Sequence, residues 1–496
     1  MVSLRSIQQQ PESTWQHVFG SLDRNGQALN TQLRRKLVHA IETGLLTANT
    51  RLPSSRELSN SLGIARNTVT AAYQQLVDEG FLASRPRRGI FVVPNATVPD
   101  ETQARAGGSI DWTSRFATRA SRMPQISKPR DWQSYPYPFL SGQYDPALFP
   151  TNNWRESVRA ATSVQEIQTW AGDQIDDDDA DLIEQLRLQV LPRRGIFAAP
   201  DELLITLGSQ QALSLIMQLL AGRSTPVGVE DPGYTDVRNM ASLATDRVQR
   251  LAMDSDGIVP DAAFAECRVA FVTPGHQCPT TGVMPLERRH RLLEAAEQHD
   301  VVLVEDDYDA DLSIESDSAM PSLKALDRGG RVVYVGSFSK VFAPGLRIGY
   351  VVAPRAVVEE LRVLRRLMLR HPPTNNQRAL ATFIALGHYR HHLGRVGATM
   401  LERARMIAKL LPEVMPTTAF RRGEGATSFW LEAPPHVDAR ILAAQAKTRG
   451  ILIEPGDMFF SDPAAGRRFF RLGFGAISTH RIEPGLRRLG RIIDEF

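Results

Sequence analysis

Three short stretches of this 496-residue chain carry polar, charged or nucleophilic side chains at the ends of apolar runs. In the first, Leu203–Thr206 leads into Gly208-Ser209-Gln210 and then the apolar run Ala212–Leu220. A glycine and a serine at a strand-to-helix turn offer free backbone N–H groups and the positive end of a helix to a phosphate. The stretch lacks the Lys-Ser/Thr ending of a nucleotide P-loop and the spacing of a dinucleotide fingerprint. In the second, Val301–Val304 delivers Glu305-Asp306-Asp307-Tyr308-Asp309. Acids ending a buried strand need a cationic partner, either a metal or a protonated ring nitrogen; the plainer alternative is a surface acidic turn. In the third, Arg331–Val335 delivers Gly336-Ser337-Phe338-Ser339-Lys340, with Arg347 seven residues on. A lysine at the end of a buried strand can lose its proton and attack an aldehyde, and Ser337 with Arg347 can hold a phosphate dianion.

The elements that must position these groups are β-rich runs alternating with amphipathic helices: Leu203–Thr206, Pro226–Val229, Val269–Val272, Val301–Val304 and Arg331–Val335. Such a pattern predicts an α/β fold with a mostly parallel sheet covered on both faces, whose ligands bind beyond the carboxyl ends of the strands. The three stretches sit at those ends. Together they ask for a phosphate, a carbonyl that condenses with an amine, and a ring nitrogen whose positive charge a carboxylate holds. Pyridoxal 5'-phosphate meets all three.

Composition sets the frame. Hydrophobic residues are 42% and charged residues 23% of the chain, which excludes wholesale disorder. Two cysteines, Cys267 and Cys278, make neither a disulfide framework nor a zinc site, and predict a reducing, cytoplasmic compartment. No apolar run approaches membrane-spanning length. The acidic run Asp176–Asp179 has no flanking ligands and reads as a solvated turn or helix start, so no metal is expected.

The net charge of +3 is unevenly divided: Gln27–Pro94 holds nine Lys/Arg against four Asp/Glu. A basic surplus in a small segment fits a phosphate-backbone partner. Within it, Leu33, Leu37, Ile41 and Leu45 recur at helical spacing, and a serine-capped helix from Ser54 ends at Gly63. A second helix runs from about Arg66 to Glu79, and Phe81–Val93 reads as strand, arginine-tipped turn, strand. This is a winged helix-turn-helix. Arg66, Asn67, Thr68 and Thr70 lie where a recognition helix meets base edges, and Arg56, Arg87 and Arg88 where phosphates would lie. The alternative is a helical hairpin with a solvated polar face. Domains are expected over 1–94 (DNA-binding), 95–135 (linker) and 136–496.

Leu52-Pro53-Ser54-Ser55-Arg56-Glu57-Leu58, Arg66-Asn67-Thr68-Val69 and Gly80-Phe81-Leu82 with the basic wing resemble the GntR-type winged helix. Ser337-Phe338-Ser339-Lys340, Pro344-Gly345-Leu346-Arg347-Ile348-Gly349, Val304-Glu305-Asp306-Asp307-Tyr308 and Phe470-Arg471-Leu472-Gly473-Phe474 resemble the fold-type I aminotransferases. The combination resembles the MocR subfamily of GntR-type transcription regulators. That resemblance implies a large sheet domain and a small C-terminal α+β domain. It implies that Lys340 forms the cofactor's internal aldimine, Asp306 pairs with its pyridine nitrogen and Tyr308 contacts its phenolic oxygen. By the same resemblance Ser209, Gln210, Ser337 and Arg347 hold the phosphate, Tyr234 stacks on the ring, and Arg471 binds an effector carboxylate. The implied protein is a head-to-tail homodimer that binds a double-stranded DNA operator and senses an amine or amino-acid effector through an external aldimine. The alternative is an aminotransferase with a DNA-binding appendage. Two departures stand out. Cys278 occupies the slot of an asparagine, which disfavours efficient transamination. Asp236 stands where GABA-responsive members place an arginine, implying another effector, with Arg238 as the substitute cation.

Overall fold

The computed structural model describes residue 15, residues 22–23, 27–94, 110–309 and 320–496. The chain divides into two compact units, residues 1–118 and 119–496. Residues 119–135, predicted above as connector, therefore belong to the second unit.

In the first unit, helix α1 (Leu29–Glu42) buries Leu33, Leu37, Ala40 and Ile41. Leu45, expected to continue that stripe, is 61% exposed. The helix stops at Glu42, Gly44 turns the chain with φ +73°, and Leu46 enters the core in place of Leu45. Helix α2 (Ser55–Leu62) starts at a reciprocal cap: Ser54 Oγ accepts from Glu57 N at 3.2 Å, and Ser54 N donates to Glu57 Oε2 at 2.8 Å. Gly63, left-handed at φ 62°, ends it, and α3 (Arg66–Asp78) follows with Val69, Ala72, Tyr73 and Leu76 buried. Strands β1 (Leu82–Arg85) and β2 (Gly89–Val92) pair antiparallel as the wing.

The second unit carries an eight-stranded sheet. Its strands, in chain order, are β3 (Leu203–Thr206), β4 (Val227–Asp231), β5 (Val248–Asp254), β6 (Gly257–Ile258), β7 (Val269–Val272), β8 (Val302–Asp307), β9 (Val332–Ser337) and β10 (Gly349–Val352). Spatial order is β3-β10-β9-β8-β7-β4-β5-β6, parallel from β9 through β5, with β10 antiparallel to both its neighbours. The central strands are buried on both faces, as expected for a sheet covered by helices. A four-stranded antiparallel sheet near the C-terminus packs with the helices His388–Val414, Ala439–Thr448 and Thr479–Asp494. Among the described residues no helix is long and apolar enough to cross a membrane.

The acidic run is structural. Asp178 pairs with Arg362 and Arg365, and Asp179 caps the helix Ala180–Gln185 through Leu182 N.

Candidate functional site

Strand alternation sorts the acids at the end of β8. Glu305 accepts from Leu323 N and Lys324 N, each at 2.9 Å. Asp307 accepts from Arg194 Nε at 2.8 Å and from the Tyr334 hydroxyl at 3.0 Å. Asp306, between them, points to the opposite face, where it is 6% exposed and its Oδ1 has no hydrogen-bond partner. Burial, with Asp307 and Glu230 nearby, pushes its carboxyl up to about 7, opposed by Lys340. Of three acids, two are bound to the protein and one faces a cavity.

That cavity is a cleft of about 650 Å³ lined by Ser209, Gln210, Tyr234, Cys278, Asp306, Tyr308, Lys340 and Arg471, with Lys128, Ser141 and Gly142. Lys340 follows β9; its Nζ lies 3.4 Å from Ser141 Oγ and 5.4 Å from the Tyr308 ring centroid. Burial lowers its proton affinity, opposed by Asp309 and reinforced by Arg471 and Lys128.

Just before the cleft-lining Ser209 and Gln210, Gly208 starts the helix Gly208–Leu220 with φ +74°. A Cβ there would lie 3.1 Å from the Arg347 guanidinium, and one on Gly349 would lie 2.6 Å from the Gly208 carbonyl carbon, so both glycines permit close approach. Arg347 donates to Leu207 O at 2.7 Å, which sets its guanidinium beside the helix N-terminus. Ser337 is buried, and its hydroxyl donates to Ser339 Oγ at 3.0 Å. Ser337 and Arg347 are not among the residues lining the cleft. The Tyr234 hydroxyl donates to Gln210 Oε1 at 2.9 Å and to Asp236 Oδ2 at 3.1 Å, and Gln210 Nε2 donates to the same Asp236 oxygen at 3.0 Å. This triad fixes the tyrosine ring over the cleft.

Arg471, on the strand Phe469–Gly473, also lines the cleft; it is 6% exposed and donates through Nε to Glu454 Oε2 at 2.8 Å. Its Nη1 lies 3.8 Å from Cys278 Sγ. Burial pushes the Cys278 thiol up to about 11, against the pull of Arg471. Arg238 is not the substitute cation suggested by the sequence: its terminal nitrogens donate to Phe459 O at 3.0 Å and Met458 O at 2.7 Å, and it does not line the cleft. Sequence reasoning missed Lys128 and Ser141, which lie in or beside an aperiodic stretch, and Glu454, far along the chain from all of them. It also missed Glu230, whose carboxylate accepts from Thr273 N at 2.9 Å and Gln277 Nε2 at 3.1 Å.

In the first unit, Arg56, Arg66, Asn67, Thr70, Arg87 and Arg88 are exposed and Thr68 is half-buried. Arg66 Nε donates to Ser55 Oγ at 3.3 Å, and the Thr70 hydroxyl to Arg66 O at 3.0 Å. No side chain caps α3 at Ala65; the Thr68 N–H turns back to Ala65 O at 3.0 Å.

Residues 29–92 match the bacterial regulatory proteins of the gntR family, and residues 148–489 the class I and II aminotransferases. The chain is 42% identical over 471 residues to the HTH-type transcriptional regulator TauR of Rhodobacter capsulatus, covering 94% of this chain and 96% of that one. It is 31% identical over 481 residues to the probable rhizopine catabolism regulatory protein MocR of Rhizobium meliloti, covering 94% of each. The chain belongs to the MocR-type transcriptional regulators. These relatives are named as regulators and not as enzymes. The aminotransferase-like unit of this MocR-type chain has the fold of enzymes that use pyridoxal phosphate. Kynurenine aminotransferase of Pyrococcus horikoshii superposes with a TM-score of 0.70 at 25% identity, over 78% of this chain and 98% of that one. The α-aminoadipate aminotransferase LysN of Thermus thermophilus, solved with N-(5'-phosphopyridoxyl)-L-leucine, gives 0.69 at 28%, over 78% and 99%. The gntR-family unit supplies the DNA-binding function of a MocR-type regulator.

Proposed function

We propose that the second unit binds pyridoxal 5'-phosphate in the cleft, and that an amine or amino-acid effector entering there changes how the first unit holds its operator. One observation carries the reading: the buried Asp306 carboxyl, lacking a partner at Oδ1, shares a cleft with a lysine that burial inclines to lose its proton. Leaving a buried carboxyl unpaired costs a few kcal/mol, which a cationic ring nitrogen would recover. The residues present fit the group. Bound there, the cofactor supplies an electrophilic carbon that amines attack and a ring nitrogen that carries positive charge.

The chain's own residues then have distinct tasks. Asp306 holds the positive charge on the ring nitrogen. Lys340 presents the amine, its hold on a proton weakened by burial and by Arg471 and Lys128, against the pull of Asp309. Ser209, Gln210 and the Gly208 turn face the phosphate, with Ser337 and Arg347 behind them. Tyr234, fixed by Gln210 and Asp236, covers the ring. Tyr308 donates to the phenolic oxygen; Cys278 has no amide to do so, which disfavours rapid turnover. Arg471 receives the effector's acid group.

In the first unit, Arg66, Asn67, Thr68 and Thr70 meet base edges, and Arg56, Arg87 and Arg88 meet phosphates. The family architecture supports a head-to-tail homodimer through the aminotransferase-like units. An effector shifts operator binding only by its difference in affinity for the two states of the protein. The test is operator binding by the full-length cofactor-loaded protein with and without a panel of amino acids. Wild type should respond to at least one of them, and Lys340→Ala to none. A Lys340→Ala protein with an unaltered response refutes sensing at this lysine.

A further inference from the structure

Lys128 reaches the cleft from a stretch that contains no long helix and no strand. Residues 119–135 form turns and two short 3-10 helices, and Met123, Gln125 and Ile126 of the same stretch also line the cleft. The Lys128 ammonium donates to Ser141 O and lies 3.2 Å from Glu454 Oε1. The other Glu454 oxygen takes Arg471 Nε at 2.8 Å and the Ser141 N–H at 3.3 Å. Burial alone would raise the Glu454 carboxyl, but Arg471 and Lys128 outweigh it and hold it below the usual carboxylate range. A Cβ on Gly142 would lie 3.3 Å from Lys128 Nζ and 3.6 Å from Lys340 Nζ, so both side-chain nitrogens converge on one space.

Around Glu454 two cations share one carboxylate. Lys128 and Arg471 face the single carboxylate of Glu454, and the Cys278 thiol, up at about 11, adds no negative charge near neutral pH. Arg471 meets Glu454 through Nε. Among the described residues its terminal nitrogens meet one polar side chain, the Cys278 sulfur, at 3.8 Å. Two cations around one carboxylate, within reach of Lys340 Nζ, match a ligand that carries an acid group along with its amine.

We propose that Lys128 is the second cationic ligand of the effector's acid group, beside Arg471, with Glu454 as the carboxylate that holds both cations in place. The inference rests on the cofactor reading above and deepens it. Its consequence is specific to this chain. Residues 119–135 begin the second unit and are covalently continuous with the stretch leading from the DNA-binding unit, so an acid group drawn to Lys128 fastens the start of that tether.

The test uses full-length protein loaded with pyridoxal phosphate and follows its visible absorption. L-Alanine, β-alanine and L-glutamate are titrated against ethylamine, which lacks an acid group. Wild type should prefer at least one of the three acids, and Lys128→Met should cut that preference about tenfold or more, the scale of one charge-assisted hydrogen bond. Lys128→Arg should keep most of it. Hydrogen exchange in peptides from 119–135 should slow in wild type with the preferred acid and not with ethylamine. Unchanged acid preference in Lys128→Met, or no preference in wild type, overturns the proposal. Should Lys128→Met not fold, Lys128→Gln and the wild-type exchange measurement decide it. A wild type that stays colourless with pyridoxal phosphate refutes the cofactor reading instead, so the two failures are distinguishable.

Discussion

Asp306 is where the aminotransferase-like unit gives up stability for a ligand. A carboxyl raised to about 7 means that the folded, cofactor-free chain keeps a proton that the unfolded chain releases near pH 4. Its contribution is therefore least unfavourable below that unfolded value and worsens as pH rises to about 7. Asp306→Asn removes this titration. At pH 8 the cofactor-free variant should unfold about 2–5 °C above wild type in a thermal scan. Its affinity for pyridoxal phosphate should fall about tenfold or more, because a neutral amide cannot balance a charged ring nitrogen. A cofactor-free Asp306→Asn protein no more stable than wild type at pH 8 would show that the carboxyl is not held out of water as described. The family resemblance singled out this residue, but the run of acids by itself does not rank it among its neighbours. Glu305, Asp306 and Asp307 look alike on the page; only the strand's alternation, with Arg194 and Tyr334 on one face, separates them. Lys128 and Glu454 were illegible for another reason. Their meaning lies in a pairing across more than three hundred residues, and no local pattern marks such a pair.

Among elements, the helix-turn-helix was the most legible. Ser54, Gly63 and the four-residue spacing of apolar side chains each specify local backbone independently of the rest of the chain. Leu45 misled because helical spacing continues in sequence past Gly44, while the chain turns there. The stretch 119–135 read as connector because it has no periodicity, and turns packed on another element leave none. Within the first unit the two sets of arginines should behave differently toward DNA. Arg88→Ala should weaken binding to operator and scrambled duplex alike, and should lower the slope of log affinity against log salt by about 0.9. Arg66→Ala should cost about 1–3 kcal/mol on the operator and much less on the scrambled duplex. Equal losses on both duplexes for Arg66→Ala would remove it from base recognition. Ser54→Ala should destabilise the first unit by about 1 kcal/mol in a denaturant titration.

At the scale of the whole molecule, the first unit has a core of its own, built from Leu33, Leu37, Leu58, Val69, Tyr73 and Leu76. The cores of the second unit draw on none of these residues. Pyridoxal phosphate at about a hundred times its dissociation constant should stabilise the second unit by about 2.7 kcal/mol. Calorimetry should show one transition rising with cofactor while the other stays put; two transitions moving together would contradict independent cores. The alternation of strands and helices gave the parallel part of the large sheet, but not β10, whose antiparallel run is set by how the chain returns beside Gly208. The account as a whole depends on Lys340 being the residue that meets the cofactor. Borohydride reduction of the cofactor-loaded protein followed by peptide mass mapping tests this most directly. The expected result is a phosphopyridoxyl group on Lys340 and none in a parallel Lys340→Ala sample. An unmodified chain, or a modification confined to Lys128 or another lysine, would contradict it.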